Sequence, residues 1–296
     1  MTNLITLMTP IDKKAISDDL ILKIKQIIGQ EFVAAYWLSE DEALEIALNN
    51  ALSTEIEEEI IFAIRNLPID YAFLADKNRR KKLLIADMDS TMIGQECIDE
   101  LADFVGIKDR VSDITERAMR GELEFNAALR ERVLLLKGMP VEALQKAFDT
   151  QIHLNEGART LVQTMKANGA YTALVSGGFT YFTEKVQDLV GFDITRANIL
   201  NFVDGKLDGT VAEPILGQQA KLDSMNEFCK THNISNADAL AVGDGANDLA
   251  MVTKAGLGVA YHAKPVVAEQ ASVAINHCDL TALLYLQGYK KSDFVS

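Results

Sequence analysis

The apolar positions of the first 80 residues predict four strands and two helices. One helix is expected to begin after Ser17 and to end at Gly29, and a second to begin with a capping box at residues 54–57 and to end before Pro68. The resulting order β-α-β-β-α-β is a split βαβ arrangement, which we expect to form an N-terminal α/β domain over residues 1–80. The strands are expected at residues 4–8, 32–38, 43–48 (which also suits a helix) and 71–74.

From residue 81 onward the pattern predicts longer buried strands that alternate with helices. The run Leu83–Ala86 has no polar position, which is typical of a strand buried on both faces of a parallel sheet. Residues 94–165 are mostly helical by pattern, and their place directly after this strand indicates a cap over the strand ends. We therefore predict a doubly wound, Rossmann-like parallel sheet with an inserted helical cap in residues 81–296. Further strands are expected at residues 171–176, 239–243, 257–261 and 274–276, with a hairpin at Asp204-Gly205.

A basic run, Lys77-Asn78-Arg79-Arg80-Lys81-Lys82, joins the two predicted domains. In so acidic a chain it predicts a solvated linker and not a nucleic-acid contact. No residue pattern in the N-terminal domain carries obvious catalytic chemistry. Two alternatives stay open for that domain. It is either a regulatory or dimerising module, in which case the chain could form a homodimer, or a folded appendage.

The overall charge argues against nucleic acid and anionic membranes as partners. The 296 residues carry a formal net charge of −14, which repels polyanions. The chain has neither 18 uninterrupted apolar residues nor a basic N-terminus followed by an apolar run, so we expect no membrane span and no export. Three widely spaced cysteines, Cys97, Cys229 and Cys278, fit free thiols in a reducing cytoplasm.

Acidic residues follow two of the predicted buried strands. Asp87 and Asp89 follow the first of these strands, and Asp244 follows a later one. The carboxyl ends of parallel strands form the crevice in which α/β proteins bind ligands. Two carboxylates one residue apart repel each other unless a cation or a shared proton relieves them, which indicates Mg²⁺ binding or acid–base chemistry. The alternatives are an acidic turn for the pair, and a helix cap for Asn247 or Asp248.

A hydroxyl, two glycines and a lysine complete a candidate anion site. Ser176 ends a predicted strand, and Gly177 and Gly178 would let backbone N–H groups approach an anion at a helix N-terminus. Taken alone, the glycines fit a simple turn and Lys221 fits a surface position. Together with the three carboxylates they are the groups that phosphoryl transfer needs. The sequence contains no Gly-Xaa₄-Gly-Lys-Ser/Thr motif, so P-loop chemistry is not expected.

Two charged residues of the predicted cap have ambiguous roles. Arg132 shares a helix face with Phe125, where an unpaired charge is costly. It either extends to solvent or pairs with Glu131 or Glu142, or it binds a substrate carboxylate. Glu96 either caps a helix or binds a ligand ammonium group.

The ordered motifs resemble those of the haloacid dehalogenase superfamily of phosphatases, over roughly residues 82–290. The cap sequences Glu96-Cys97-Ile98-Asp99-Glu100 and Met119-Arg120-Gly121-Glu122-Leu123-Glu124-Phe125 are similar to those of members that hydrolyse O-phospho-L-serine. Bacterial members often carry an ACT-like domain at the N-terminus, which residues 1–80 resemble in element order alone. The matching motifs are Asp87-Met88-Asp89-Ser90-Thr91, Ser176-Gly177-Gly178, Lys221 and Gly243-Asp244-Gly245-Ala246-Asn247-Asp248.

The resemblance implies a role for each motif residue. Asp87 would be the nucleophile that forms an aspartyl-phosphate, and Asp89 would be the general acid and base. Mg²⁺ would be held by Asp87, the Asp89 backbone carbonyl and Asp244, with Asp248 in support. The implied substrate contacts are Ser176, Gly177, Lys221 and Asn247 to the phosphoryl group, Glu96 to the ammonium, Arg132 to the carboxylate, and Met119 and Phe125 as a cover.

Two other functions share part of this chemistry. A phosphotransferase of the same fold would carry the same motifs but pass the phosphoryl group to another alcohol. A response-regulator receiver module also phosphorylates an aspartate at a strand end, but it is much smaller and needs neither cap helices nor Arg132. We therefore expect a phosphomonoester hydrolase.

Overall fold

Two β-sheets of different type organise the chain, as a computed structural model that describes residues 3–295 shows. The strands are β1 (Asn3–Met8), β2 (Phe32–Ser39), β3 (Ala43–Leu48), β4 (Asp70–Ala75), β5 (Leu83–Ala86), β6 (Tyr171–Phe179), β7 (Ile194–Asn198), β8 (Leu200–Val203), β9 (Lys206–Val211), β10 (Ala239–Gly243), β11 (Leu257–Tyr261) and β12 (Val273–Ile275). The helices are α1 (Asp18–Ile28), α2 (Thr54–Ile64), α3 (Cys97–Asp103), α4 (Lys108–Met119), α5 (Phe125–Leu135), α6 (Val141–Gln151), α7 (Ala158–Ala167), α8 (Thr180–Val190), α9 (Gln218–Thr231), α10 (Leu249–Lys254), α11 (Pro265–Ala268) and α12 (Ala282–Leu286).

The N-terminal sheet is antiparallel, with the strand order β2-β3-β1-β4. The predicted order of strands and helices is confirmed, including β3, whose pattern also suited a helix. Alternation of side chains along β1 and β3 sends Ile5 and Ile46 to the face that α1 and α2 cover. There they pack with Ile24 of α1 and Ile60 of α2, and all four side chains are fully buried.

Local signals set the ends of these two helices. Ser17 caps α1 through a bond from the Leu20 N–H to its Oγ (3.3 Å), and Gly29 ends the helix with a φ of 62°. The expected capping box at residues 54–57 was wrong in position. Thr54 is the first helical residue of α2, and Ser53 stands at the N-cap without a side-chain bond to the helix backbone.

The second sheet is parallel, with the strand order β12-β11-β10-β5-β6-β7. β5 therefore lies in the middle, between β10 and β6. Its four residues, Leu83–Ala86, are fully buried because helices cover both faces, as their uninterrupted apolar pattern predicted. This order brings the carboxyl ends of β5, β6 and β10 side by side, which places the motif residues in one crevice.

In this part of the chain, the end of β6 differs from the expectation, and the expected hairpin is found. Gly177 and Gly178 belong to β6, which continues to Phe179, and are not a turn before α8. The predicted hairpin at Asp204-Gly205 is present, with φ values of 51° and 73°. It packs against the cap, because the Leu207 N–H donates to Met139 O (2.8 Å) just beyond α5.

Part of the helical segment after β5 covers the crevice, and part packs beside the sheet. α4 and α5 extend over the carboxyl ends of the strands, where Met119 and Phe125 face the strand loops. α7, in contrast, packs against β6 and α8 beside the sheet. None of the helices between residues 3 and 295 is long and apolar enough to cross a lipid bilayer.

The basic run between the sheets is mostly exposed, as its composition predicted for a solvated linker, but one of its residues, Arg79, is not. The Arg79 side chain is only 10% exposed, pairs with Glu45 of β3, and also approaches the carbonyls of Tyr285 and Leu286. The reason is tertiary: the N-terminal sheet packs on the second unit, so a residue between them is covered from both sides. Asp70 of β4 strengthens the same interface, because its carboxylate accepts the backbone N–H groups of residues 276–278.

Candidate active site

Asp87 and Asp89 lie at the carboxyl end of β5, buried to 3% and 8% exposure. The Asp87 N–H continues the sheet by donating to Val242 O (3.0 Å), and one carboxylate oxygen accepts the Met88 N–H (2.7 Å). Asp89 Oδ1 accepts the Cys97 N–H at the start of α3 (2.9 Å). Each carboxylate is thus held by a backbone N–H group, that of Met88 for Asp87 and that of Cys97 for Asp89.

Lys221 joins two of the acidic motifs. Its ammonium lies 2.7 Å from Asp87 Oδ2 and 2.6 Å from Asp248 Oδ1, and its side chain is fully buried. The surface position that Lys221 suggested on its own is therefore wrong. α9 packs beside β5 and β6, and this packing turns the first turn of the helix toward the strand ends.

Asp244 and Asp248 complete a group of acids at the end of β10. Asp244 Oδ1 accepts the Thr91 hydroxyl (3.0 Å), and Asp248 Oδ2 accepts the N–H groups of Asp244 and Gly245 (3.2 Å each). Carboxylate oxygens of Asp87, Asp244 and Asp248 all lie within 4.8 Å of one another. Buried carboxylate oxygens at this spacing are the ligands that a hard divalent cation prefers.

The electrostatics of this group also fit a cation. Burial raises the pKa of Asp89 to about 6, and burial together with neighbouring acids raises the pKa values of Asp244 and Asp248. Burial opposes the charge of Lys221, yet Asp248 and Asp87 raise its pKa above the ordinary value. In residues 3–295, the one cation within 4.0 Å of these four carboxylates is Lys221, so a divalent ion would offset a real excess of negative charge.

The end of β6 approaches the acids closely. Ser176 Oγ accepts the Gly178 N–H (2.8 Å). A Cβ on Gly178 would lie 2.5 Å from Asp89 Oδ2, and one on Gly177 would lie 2.6 Å from Phe125 Cζ. Because neither glycine has a side chain, β6 can lie directly against the loop that carries Asp89 and against Phe125 of the cap.

The cap residues line the same cavity as the acids, and the space they enclose is about 40 Å³. The lining residues are Asp87, Asp89, Glu96, Ile98, Ala118, Met119, Phe125, Leu129, Arg132, Ser176, Gly177, Gly178, Phe179 and Asn247. Thus Glu96, Met119, Phe125 and Arg132 of the cap face the strand-end residues directly. Asn247 Oδ1 is buried there without a hydrogen-bond partner.

Arg132 is 5% exposed, and its contacts leave part of its guanidinium free for a ligand. Nη1 donates to Thr115 Oγ1 (3.0 Å) and Nε to Ala128 O (3.2 Å). Neither Glu131 nor Glu142 forms an ion pair with it within 4.0 Å, although both are among the described residues. The pairing with Glu131 or Glu142 that the sequence left open is therefore not found.

Glu96 lines the same cavity as Arg132. Its Oε1 accepts the Ser90 hydroxyl (2.6 Å), and burial, Asp89 and Asp244 together raise its pKa well above the ordinary value. Ser90 adopts a left-handed backbone with a φ of 55°, which turns its hydroxyl toward Glu96. A cationic partner would relieve the cost of ionising Glu96.

Several supporting residues were missed by sequence reasoning. Thr115 accepts from Arg132 and donates to Asp99 Oδ1 (2.7 Å), which orients the guanidinium. The Lys264 N–H donates to Asp244 O (2.9 Å), and its Nζ binds Glu116 of α4 (3.0 Å). Asp99 stands within a quoted cap sequence, but no sequence signal distinguishes Thr115 or Lys264 from ordinary surface-helix and loop residues.

Comparison with known proteins agrees with this site. The profile of the haloacid dehalogenase-like hydrolase family matches residues 84–253, and the chain belongs to that family. It is 49% identical over 210 residues to a phosphoserine phosphatase of Polaromonas sp. strain JS666, a match that covers 69% of this chain and 89% of the relative.

Solved structures show the same similarity. A haloacid dehalogenase-family hydrolase from Salmonella enterica serovar Typhi superposes over 96% of this chain and 98% of its own, with a TM-score of 0.85 and 29% identity. A phosphoserine phosphatase that carries a phospho-aspartyl intermediate analogue covers 70% of this chain and 98% of its own, with a TM-score of 0.67 and 41% identity. The first of these similarities includes the N-terminal sheet.

Proposed function

We propose that this chain is a Mg²⁺-dependent phosphoserine phosphatase, which hydrolyses O-phospho-L-serine to L-serine and phosphate. One observation carries the proposal: a single cavity presents the Asp87 carboxylate and, from the cap, a carboxylate (Glu96) and a guanidinium (Arg132). Phosphoserine has the matching groups, namely a phosphate, an ammonium and a carboxylate. The phosphoserine phosphatases among its relatives are consistent with this substrate.

The reaction would proceed in two displacements at phosphorus. In the first, an Asp87 oxygen forms a bond to phosphorus while the bond from phosphorus to the serine oxygen breaks, and Asp89 donates its proton to that oxygen. In the second, Asp89 takes a proton from water as the water oxygen attacks the phosphoaspartate, which frees phosphate and restores Asp87. A pKa of about 6 suits Asp89 to both proton transfers.

Four groups of the chain would hold the phosphoryl oxygens. The Lys221 ammonium already lies 2.7 Å from an Asp87 carboxylate oxygen. It would therefore stabilise the negative charge on that carboxylate first, and the charge on the phosphoryl oxygens once the bond to phosphorus forms. Ser176, the Gly177 N–H and Asn247 would complete the contacts from β6 and from the loop after β10. These donors come from rigid elements, which keeps them in place before the substrate arrives.

The acids would bind Mg²⁺ through Asp87, the Asp89 backbone carbonyl and Asp244, with Asp248 in support. When bound, the ion would offset the negative charge of the carboxylates and of the phosphoryl oxygens. Asp248 has a second task, because it orients Lys221 and accepts the N–H groups of the loop.

Met119 and Phe125 would close the site over the substrate. The cavity of about 40 Å³ holds no more than a few water molecules, so α4 and α5 must move away for phosphoserine to enter. Once closed, the two apolar side chains keep bulk water from the phosphoaspartate until serine has left.

The experiment is phosphate release from O-phospho-L-serine and from a panel of phosphomonoesters without an amino acid group. It is run with Mg²⁺ and then with EDTA. We expect a strong preference for phosphoserine that chelation removes. Mg²⁺-dependent release without that preference would retain the phosphatase chemistry and refute the substrate assignment. A competing alcohol such as glycerol distinguishes hydrolysis from phosphotransfer, since a phosphotransferase would convert it to a phosphate ester.

The proposal extends to the role of the chain in the cell. Formation of L-serine from phosphoserine is the last step of serine biosynthesis, and this role favours a location in the cytoplasm. A reducing compartment also suits Cys97, Cys229 and Cys278, which are all buried and free. We further propose that residues 1–80 and 81–296 are separate domains with the cap at about 94–165, and that the N-terminal domain regulates or dimerises the enzyme.

A further inference from the structure

Asp99 of α3 is a buried carboxylate that no step of the proposed reaction uses. It is 8% exposed and does not line the active-site cavity. Its two oxygens accept hydroxyl groups from two residues of α4, Thr115 at Oδ1 (2.7 Å) and Ser112 at Oδ2 (2.8 Å). Within residues 3–295, no lysine, arginine or histidine nitrogen lies within 4.0 Å of this carboxylate. Neutral hydroxyls therefore hold Asp99, and no direct ion pair balances its charge.

Thr115 connects this carboxylate to Arg132. Its oxygen accepts Arg132 Nη1 (3.0 Å), and its proton has two acceptors within reach, Asp99 Oδ1 (2.7 Å) and the Val111 carbonyl (3.1 Å). The carboxylate is the nearer acceptor and the charged one, so it is preferred. A hydroxyl has one proton. Asp99 therefore directs that proton away from the guanidinium and leaves an oxygen lone pair facing Nη1.

The interposed hydroxyl leaves the guanidinium open to a ligand. A carboxylate placed directly on Arg132 would occupy two of its N–H groups in the bidentate geometry that such pairs favour. Instead, Thr115 and the Ala128 carbonyl each take one N–H, from Nη1 and from Nε. The two N–H groups of Nη2 and the second one of Nη1 have no acceptor within residues 3–295. Arg132 lines the active-site cavity, so these donors are available to a carboxylate of the substrate.

The charge of Asp99 also acts on the guanidinium over this longer distance. Burial lowers the pKa of Arg132, and the charges of Glu96 and Asp99 oppose that effect. Burial raises the pKa of Asp99, and its two hydroxyl bonds and the charge of Arg132 oppose that effect. Each buried group thus favours the charged form of the other. Arg132 can stay charged in the cap without an ion pair that the substrate would have to displace.

We propose that Thr115 and Asp99 are positioning residues for recognition of the substrate carboxylate. Neither residue touches the substrate: Asp99 sets the direction of the Thr115 hydroxyl, and Thr115 holds Arg132. This role rests on the proposed function, because it requires that Arg132 binds the carboxylate of phosphoserine. Preference for an amino acid phosphate would then depend on two residues that lie behind the cavity wall.

The test compares O-phospho-L-serine with O-phosphoethanolamine, which has the phosphate and the ammonium but lacks the carboxylate. The full-length protein is assayed with Mg²⁺, and the measured quantity is the ratio of the two kcat/KM values. This ratio does not depend on the fraction of a preparation that is folded. Thr115→Val removes the hydroxyl and keeps the shape, so the ratio should fall about tenfold. The loss should lie in a higher KM for phosphoserine, because the carboxylate is bound alike in the ground state and the transition state.

Three further variants separate positioning from a structural role. Thr115→Ser restores the hydroxyl and should keep the ratio within about twofold of the wild type. Ser112→Ala is the matched control, since it removes the other bond from α4 to Asp99 but none to Arg132, and its ratio should also stay within about twofold. Asp99→Asn should lower the ratio less than Thr115→Val does, because the amide oxygen still accepts the hydroxyl but carries no charge.

The outcomes distinguish this role from the proposed function. Equal kcat/KM values of the wild type for the two substrates would refute the proposed function, and the positioning role with it. Where the wild type prefers phosphoserine, an unchanged ratio in Thr115→Val or Asp99→Asn would overturn the positioning role alone. The same fall in Thr115→Ser or Ser112→Ala as in Thr115→Val would overturn it as well.

Discussion

Two regions of this chain bury carboxylates, and they differ in which groups balance the negative charge. At the interface between the sheets, Glu45 pairs with Arg79 and accepts the Tyr36 hydroxyl (2.7 Å), and Asp70 accepts three backbone N–H groups at 2.8 to 3.0 Å. At the strand ends, Lys221 is the one cation in residues 3–295 within 4.0 Å of the four buried aspartates, and it pairs with two of them, Asp87 and Asp248.

The difference separates a structural cluster from the proposed catalytic one. A carboxylate whose charge and lone pairs are satisfied within the chain has nothing left for a ligand, so the interface cluster serves to fasten the two units together. An excess of buried negative charge costs stability unless something from outside balances it. Under the proposed function, the strand-end cluster tolerates that cost because a cation and a phosphoryl group would be its partners.

The largest effect should come from removing the proposed nucleophile. Asp87→Asn keeps the shape but cannot form a phosphoaspartate, so kcat for phosphoserine should fall by about 10⁴-fold or more. The thermal midpoint of the metal-free protein should not fall, because one repelling charge is gone. A phosphate-release assay measures kcat, and a circular dichroism melt measures the thermal midpoint. Asp188→Asn, which changes an exposed carboxylate, is the control. Near-normal turnover in Asp87→Asn would refute the mechanism.

The next effect concerns the cap. Arg132→Ala should lower kcat/KM for phosphoserine roughly 100-fold, because charge-assisted bonds to the substrate carboxylate are lost. An aryl phosphate has no such carboxylate and should lose only a few fold. Arg130→Ala is a matched control on the same helix, because Arg130 is 54% exposed and pairs with Glu213. Equal losses on both substrates would make Arg132 a structural residue.

The interface cluster should respond in stability and not in catalysis. Arg79→Met leaves Glu45 buried and unpaired, which should cost about 3–5 kcal/mol in urea denaturation. Below the unfolding transition, kcat should be unchanged. The double variant Glu45→Gln/Arg79→Met should regain most of the loss, and the exposed Lys77→Met should stay within about 0.5 kcal/mol of the wild type. A large loss of kcat in Arg79→Met would show that the two clusters are coupled.

The smallest effect is a pH dependence of the metal-free protein. Folding raises the pKa of Asp89 from 3.8 to about 6, so the folded state keeps a proton that the unfolded state loses between these values. Stability in EDTA should therefore fall as the pH rises from about 4 to about 6. Urea denaturation at pH 4.5 and 6.5 should show a smaller fall for Asp89→Asn than for the wild type. Equal slopes for the two proteins would mean that Asp89 ionises freely in the folded chain.

Local patterns predicted most of the fold and the composition of the site. The run Leu83–Ala86 was identified as a fully buried strand because no polar residue interrupts it, and Ser17 and Gly29 marked the ends of α1. Asp87 and Asp244 were expected at strand ends and directly follow β5 and β10, whereas Ser176 was expected to end a strand that in fact continues to Phe179. The strand order confirms that the carboxyl ends of these three strands are adjacent.

Other features were not visible locally. Gly177 and Gly178 suggested a turn, yet they extend β6, and the neighbouring loop and cap leave no room for side chains at these two positions. Arg79 was expected to be exposed to solvent, yet the packing of the N-terminal sheet on the other unit covers it. Thr115 became a partner of Arg132 only because α4 and α5 pack against each other.

The sequence by itself determined most of the elements (β7 was not among the expected strands), the buried strands and the residue types at the strand ends, because periodicity and motifs depend on neighbours along the chain. Tertiary structure alone decided which charges meet. Lys221 reaches Asp87 and Asp248 because α9 packs beside β5 and β6, and Arg79 reaches Glu45 because the two units share an interface. The state of a buried charge depends on distances between residues far apart in sequence, and only the packed chain sets those distances.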